Sequence, residues 1–210
     1  MTTRICIIRH GETDWNREKR IQGQLDIPLN DTGRAQALAM AFNAAHHTFS
    51  AIYSSDLSRA LDTAKALASR ESLEVIVSEQ LRERHYGILQ SVTKDEAKTK
   101  HPQAHARYAV RDLHYDFETG ESLLAFSQRV ITIFNELASR HRKQQIAVIC
   151  HAGVLDVLYR HATGRSLESA RDFAVPNCAL NWFEHRAGQW QLRSWDEHQH
   201  LGRVTLDSVE

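Results

Sequence analysis

The chain has 210 residues, of which 42% are hydrophobic, enough to form the core of one large domain. Lys and Arg together number 26, as do Asp and Glu, so the formal net charge is zero. This balance argues against general nucleic-acid binding, and we expect no nucleic-acid partner, although a local basic pocket is compatible with it.

The first apolar run ends at Arg9, which makes it too short for a signal peptide or a membrane span. Three cysteines lie far apart, at positions 6, 150 and 178. An odd and dispersed set of cysteines is typical of reduced, intracellular proteins. We therefore expect a cytoplasmic protein that has no membrane partner.

Short apolar stretches alternate along the chain with longer amphipathic ones, which predicts strands that alternate with helices. In chain order we predict a strand at 4–8, a helix capped by Asn30, a strand at 51–54, a helix at 58–70 and a strand at 74–77. After a polar segment come a helix at 121–142, a strand at 146–150, a helix at about 154–162, and a hairpin of two strands at 179–183 and 190–195.

This alternation predicts an α/β fold, a three-layer α/β/α sandwich whose central sheet is mostly parallel with one antiparallel strand. We expect one domain over 1–210. The segment 91–119 is polar, rich in histidine and only weakly helical in pattern, so we expect a lid-like excursion over the sheet.

Each predicted parallel strand is followed by residues that can bind a phosphate group or transfer a proton to or from it. Arg9 and His10 end the first strand, Arg59 follows the second, Glu83 follows the third and His151 ends the fourth. Ligands of such sheets bind outside the carboxyl ends of the strands, so these residues should converge. Arginine matches phosphate oxygens bidentately and imidazole changes protonation near neutral pH, so the set predicts a phosphoryl-group site.

Several longer motifs at these places resemble the histidine phosphatase superfamily, also called the phosphoglycerate mutase-like family. The resemblance extends over nearly the whole chain and implies the phosphoglycerate mutase-like version of the sandwich. The motifs are RHGET at 9–13, DWN at 14–16, IQGQLDIPL at 21–29, SSDLSRA at 54–60, ERHYG at 83–87, GES at 120–122 and HAGV at 151–154.

The resemblance implies that His10 is a nucleophile that forms a phosphohistidine. Arg9, Arg59 and His151 would surround the phosphoryl oxygens, and their charge and hydrogen bonds would take the place of a metal. Glu83 would protonate the leaving group, with Glu12 as the competing assignment.

Four further residues would contact phosphate or substrate: Asn16, Gln22, Gly23 and Ala152. No zinc-type spacing of Cys and His occurs in the sequence, so we expect neither a metal nor another cofactor.

Three functions stay open from the sequence. The first is a metal-independent phosphomonoesterase acting on a small phosphorylated metabolite, the second a cofactor-dependent phosphoglycerate mutase, and the third a non-catalytic phosphate- or phosphoprotein-binding module. The short 91–119 segment without adjacent arginines, the Gln22-Gly23 pair and Ala152-Gly153 resemble the phosphatases, whereas ERHYG at 83–87 is more similar to the mutases. We favour the phosphatase.

Two further expectations concern contacts with other molecules. Polar side chains of the excursion favour a polar phosphorylated metabolite: His105, Arg107, Tyr108, Arg111 and His114. Three tryptophans near the C-terminal hairpin suggest the contact surface of a homodimer: Trp182, Trp190 and Trp195. His85, two residues beyond Glu83, is expected to touch the site.

Overall fold

A six-stranded sheet forms the centre of the protein in the computed structural model, which describes residues 2–44 and 46–202. The strands are β1 (Thr2–Arg9), β2 (Ala51–Ser54), β3 (Val75–Val77), β4 (Gln145–Cys150), β5 (Leu180–Arg186) and β6 (Gln189–Glu197). Their order is β3-β2-β4-β1-β5-β6. Only β5 runs against its neighbours, pairing antiparallel with both β1 and β6, so the predicted sheet with one antiparallel strand is confirmed.

Helices cover both faces of this sheet. Those on the sheet are α2 (Asp31–Ala44) and α3 (Ser58–Glu71) on one face and α6 (Leu123–Arg140) and α7 (Ala152–Thr163) on the other. Three shorter helices lie outside the two sheet cores: α1 (Asp14–Arg17), α4 (Lys94–Lys100) and α5 (Pro102–Ala109). The Asn30 side chain accepts the Gly33 amide at 2.8 Å and so caps α2, as predicted. Helix α6 begins two residues later than expected, because Ser122 is its N-cap and accepts the Ala125 amide at 3.1 Å.

The period-two pattern of the central strands explains the three layers. In β1, Ile5 and Ile7 pack with α6 and α7, whereas Cys6 and Ile8 face α2 and α3 on the other side. All four of these side chains are fully buried. A central strand that is covered on both faces has a continuous run of apolar residues. This run is why the sequence predicts the strand clearly.

The polar segment 91–119 has a small apolar core of its own. Its helices α4 and α5 pack through a cluster that is separate from the two sheet cores: Leu89, Val92, Ala97, Ala104 and Phe117. This segment can therefore hold its shape beside the sheet without contributing to either main core. Residues 1, 45 and 203–210 of the predicted domain lie outside the described residues.

The tryptophans do not form the predicted contact surface. Trp182 and Trp190 are buried, at 4% and 6% exposure, and Trp182 stacks on Phe49 with ring centroids 6.1 Å apart. The Trp195 ring packs against Tyr159 at 4.6 Å. These rings thus pack against residues of the same chain. The prediction that they form the contact surface of a homodimer was wrong.

No helix among the described residues combines the length and the apolar character that a membrane crossing requires.

The loop after β1 packs backbone to backbone on the start of α2. A Cβ atom on Gly33 would overlap the backbone carbonyl oxygen of Glu12, and one on Gly11 would overlap the carbonyl of Gly33. The segment that follows His10 is therefore seated directly against the first turn of α2.

We expect Gly33→Ala to destabilise the protein by about 1–3 kcal/mol, because the added methyl group forces this backbone contact apart. Helix propensity alone would raise the free energy of unfolding by about 1 kcal/mol. The sign of the change therefore distinguishes the backbone contact from propensity. Urea unfolding measures the change, with Ala35→Gly at an exposed position of α2 as the control that reports propensity alone. A stabilised Gly33→Ala variant would contradict the close contact.

Candidate active site

Two histidines meet at the centre of the sheet edge because of strand register. Strands β1 and β4 are adjacent and parallel, with Arg9 opposite Cys150, so the next residue of each strand projects from the same point. These residues are His10 and His151, whose ring centroids are 5.2 Å apart. The His10 amide also donates to the Cys150 carbonyl at 2.9 Å, which continues the ladder to the site.

The His10 ring is fixed in one tautomer. Its Nδ1 lies 2.7 Å from the carbonyl oxygen of Gly11, and because a carbonyl only accepts, Nδ1 carries the proton. The neutral ring then has a lone pair at Nε2. Burial, together with the charges of Arg59 and Arg9, holds the pKa of His10 well below its usual range. The His10 ring is thus neutral at neutral pH, with an unprotonated Nε2.

His151 has two ring nitrogens with no described hydrogen-bond partner, although the residue is only 1% exposed. Burial lowers its pKa well below the usual value, and the charge of Arg59 and the nearby His10 act in the same direction. An unsatisfied buried ring costs free energy, so its place beside His10 indicates a polar ligand between them.

Arg59 enters the site from the first turn of α3. It is 1% exposed and donates to the carbonyls of Gly23 at 2.7 Å and Leu25 at 2.8 Å. Burial lowers its pKa to about 10, so the guanidinium stays charged at neutral pH. The Arg9 guanidinium, also buried, donates to the Val175 carbonyl at 2.8 Å.

Glu83 faces these cations from the loop after β3. Its two carboxylate oxygens accept the amides of Arg84 at 2.7 Å and Gly153 at 2.9 Å. A Cβ atom on Gly153 would overlap the Glu83 carboxylate, so a larger residue there would displace that carboxylate. Glu12 is also buried, but its carboxylate accepts the Asn30 side-chain amide at 2.8 Å and it is absent from the described cavity wall.

An ion pair that sequence reasoning missed holds the Glu83 loop. Arg129 of α6 makes a bidentate contact with Glu121, with donor–acceptor distances of 2.8 and 2.7 Å. The same guanidinium donates to the carbonyls of Gln80 and Arg82, at 2.8 and 3.0 Å, and Glu121 accepts the His85 amide at 3.0 Å. The GES motif at 120–122 was noted, but its partner on a distant helix leaves no local signal.

The other predicted contact residues also reach the site: Asn16, Gln22, Gly23 and Ala152 all lie in the cavity wall. Asn16 uses its side-chain oxygen in the capping box of α1, accepting from the Thr13 amide and hydroxyl at 3.1 Å each. Its NH₂ group is left for a ligand. The Gly23 carbonyl accepts from Arg59, so this residue also positions that guanidinium.

Some expectations about nearby residues were wrong. His85 is absent from the described wall, because its ring nitrogen Nδ1 accepts the Gly87 amide at 3.1 Å. Arg107 and His114 of the excursion are likewise absent from it. The Arg107 side chain instead pairs with Asp112 at 3.0 Å.

The site opens into a cavity of about 780 Å³. Its described wall carries eight Lys and Arg side chains but four Asp and Glu, although the whole chain has 26 of each. Part of the wall comes from the excursion, through residues such as His105, Tyr108 and Arg111. A positive, partly enclosed cleft concentrates anionic ligands. The described residues contain no cluster of three or more His, Cys, Asp or Glu side chains that could hold a metal ion.

The family model described as "Histidine phosphatase superfamily (branch 1)" matches residues 5–198 of this chain. The chain belongs to the histidine phosphatase superfamily. The predicted resemblance is therefore confirmed, and with it the reading of the strand-end motifs as those of one family.

Curated relatives and solved structures extend along most of this histidine phosphatase. "Phosphoglycerate mutase-like protein 4" of Arabidopsis thaliana is 36% identical over 203 residues, which cover 94% of this chain and 86% of that protein. The "Metal-independent phosphoserine phosphatase" of the same plant is 35% identical over 206 residues, covering 96% and 84%. The structure of a phosphoserine phosphatase mutant from Entamoeba histolytica with phosphoserine has a TM-score of 0.85 at 28% identity, covering 95% and 99%.

Two of these three relatives are named as phosphatases, which favours the phosphatase over the mutase. This histidine phosphatase is a phosphoric monoester hydrolase by family and by those names.

The two buried neutral histidines predict a loss of stability in acid. As the pH falls from 7 to 5, His10 and His151 take up protons in the unfolded chain, near pH 6.5, but not in the folded one. The unfolded state then binds more protons, and the free energy of unfolding falls by at most about 2 kcal/mol per histidine.

Urea unfolding at pH 7 and pH 5 tests this, because His151→Gln should lose less stability over the interval than the wild type. His161→Gln, which removes an exposed histidine, is the matched control. Equal losses in the wild type and His151→Gln would contradict a neutral, buried His151.

Proposed function

We propose that this histidine phosphatase hydrolyses the monoester of a small phosphorylated metabolite through a phosphohistidine at His10, without a metal or other cofactor. The observation that carries the proposal is the 2.7 Å contact of His10 Nδ1 with the Gly11 carbonyl, which leaves Nε2 unprotonated beside His151 and Arg59.

In the first step, Nε2 of His10 attacks phosphorus in line with the ester oxygen. The Nε2–P bond forms while the bond from phosphorus to the leaving oxygen breaks, and Glu83 gives its proton to that oxygen. Arg9, Arg59 and a ring N–H of His151 bind the equatorial oxygens. Preorganised donors of this kind are commonly worth about 100- to 1000-fold in rate each.

In the second step, the Glu83 carboxylate takes a proton from water as that water attacks phosphorus. The Nε2–P bond breaks, inorganic phosphate leaves and His10 returns to its neutral tautomer. Each Glu83 oxygen accepts one backbone amide and keeps a second lone pair for this proton. The roles of Asn16, Gln22, Gly23 and Ala152 in this proposal are to hold phosphate or substrate oxygens at the cavity wall.

A small phosphorylated substrate agrees with the positive cavity of about 780 Å³, a volume within the usual range for small-molecule sites. The relatives named for phosphoserine point to the same class of ligand. The proposal further includes one domain over 1–210, with 91–119 acting as the lid, and a cytoplasmic location. The predicted homodimer stays a prediction, which small-angle scattering tests.

Hydrolysis of p-nitrophenyl phosphate in EDTA is the first test. We expect the wild type to turn over, and to form an acid-labile phosphoenzyme, whereas His10→Ala does neither because the attacking Nε2 is gone. His161→Ala, at an exposed position of α7, is the control and should behave as the wild type.

Equal turnover by the wild type and His10→Ala would contradict the phosphohistidine. Interconversion of phosphoglycerates that depends on a bisphosphoglycerate primer, with no hydrolysis, would replace the phosphatase by the mutase. A phosphate-binding protein without any turnover would support the non-catalytic module.

The proton donor is tested by comparing two carboxylates that are both buried near His10. We expect Glu83→Gln to lower kcat for an alkyl phosphate by about 10²–10⁴-fold, because the alkoxide then leaves without a proton. For p-nitrophenyl phosphate, whose good leaving group departs unprotonated, the loss should be much smaller. Glu12→Gln keeps its contact with Asn30 and should leave kcat for both substrates unchanged. If Glu12→Gln instead lowers kcat for the alkyl phosphate and Glu83→Gln does not, Glu12 is the proton donor.

A further inference from the structure

One arginine of the cavity wall differs from all the others. Arg171, in the segment between α7 and β5, makes no hydrogen bond or ion pair with any residue that the structure describes. The other five arginines of the wall each donate to a carbonyl or carboxylate: Arg9, Arg20, Arg59, Arg84 and Arg111. A charged guanidinium that lines a cavity with no protein acceptor is available to an anionic ligand.

The segment that presents Arg171 is anchored on both sides. Before it, buried Arg160 donates to the Ser166 carbonyl and to the Ser169 hydroxyl, at 2.5 and 2.7 Å. After it, the Phe173 ring stacks on Tyr159 with centroids 3.9 Å apart. The main chain near Arg171 is thus held in place while its guanidinium makes no bond.

Two phenol groups line the same cavity as Arg171, those of Tyr86 and Tyr108. Burial raises the pKa of both tyrosines, and the positive charge of Arg171 acts on both in the opposite direction. Their rings are packed on Phe117, at 5.9 and 6.4 Å between centroids, and both line the cavity. Both hydroxyls stay protonated and have no hydrogen-bond partner among the described residues.

We infer that Arg171, with the Tyr86 and Tyr108 hydroxyls, binds a carboxylate on the leaving group, so that the substrate is a phosphorylated carboxylic acid. This inference rests on the proposed function, because the phosphate of the same molecule must lie at His10. It names a specificity residue for that reaction in a segment where no sequence motif points to one.

A carboxylate fits this end of the cavity better than a second phosphate. One guanidinium supplies a single positive charge and a planar fork, which matches a planar, singly charged carboxylate. A phosphate dianion would need a second cation. Lys19 and Lys94 also line the wall, but both already interact with neighbours. Arg111 is likewise committed, to Asp156 at 2.6 Å and to the Leu167 carbonyl at 2.5 Å.

The test uses pairs of phosphate esters that differ only in the carboxylate: O-phosphoserine against O-phosphoethanolamine, and 3-phosphoglycerate against glycerol 3-phosphate. We expect the wild type to prefer the carboxylated member of a pair in kcat/KM. Arg171→Gln should lower kcat/KM for that member about 10- to 100-fold, mainly through KM, the range for a hydrogen bond to a charged group. The other member should change by less than about twofold, since it lacks the group that Arg171 binds.

The matched control is Arg165→Gln in the same segment. Arg165 is 42% exposed, pairs with Asp172 and is absent from the described wall, so this variant should retain the preference. Equal losses for both members of a pair in Arg171→Gln would overturn the inference, as would a wild type without preference. A loss confined to a bisphosphate, fructose 1,6-bisphosphate against fructose 6-phosphate, would assign Arg171 to a second phosphate and overturn the carboxylate.

A binding measurement distinguishes a wrong role for Arg171 from a wrong proposed function, because it does not depend on turnover. In the His10→Ala background, titration calorimetry compares O-phosphoserine with O-phosphoethanolamine, with and without Arg171→Gln. A carboxylate-dependent affinity that Arg171→Gln removes supports the inference even if the wild type hydrolyses none of the esters. Hydrolysis of both esters without such a difference in affinity would leave the phosphatase standing and overturn the role of Arg171.

Discussion

The parallel pairing of β1 with β4 is the constraint on which the rest of the site depends. It places His10 and His151 one residue beyond the ends of the two central strands, with ring centroids 5.2 Å apart. Both strands are covered by helices on both faces, so this point of the backbone adjoins both main cores of the fold. The positions of these two histidines are therefore set by the register of the sheet.

The electrostatics of the site follow from what surrounds these two rings. Arg59 is buried against backbone carbonyls and forms no ion pair with a described carboxylate, so its positive charge is turned to the cavity. That charge, with burial, keeps His10 and His151 neutral. The charge and the hydrogen-bond donors of this pocket are complementary to a phosphoryl group.

Two segments outside the central strands complete the site: the Glu83 loop and the excursion at 91–119. The Glu83 loop is tied to α6 because Arg129 pairs with Glu121 and donates to the Glu83 main-chain carbonyl, while the Glu83 carboxylate accepts the amides of Arg84 and Gly153. The excursion packs on its own apolar cluster and adds wall residues without entering the sheet cores. The cavity wall is therefore built partly by the sheet edge and partly by a segment with a separate apolar core.

The sequence by itself determined the layers and the strand-end motifs, and it named residues that meet at the sheet edge, because apolar periodicity and short motifs are local signals. It also located the hairpin that holds β5 and β6. Only the tertiary structure decided that Glu83 rather than Glu12 is in the described cavity wall, that Arg129 holds the Glu83 loop, that Trp182 and Trp190 are buried and that Arg171 has no hydrogen bond or ion pair among the described residues. Each of these depends on which distant residue supplies a donor, an acceptor or an apolar neighbour, and that pairing is fixed by packing between elements rather than by spacing along the chain.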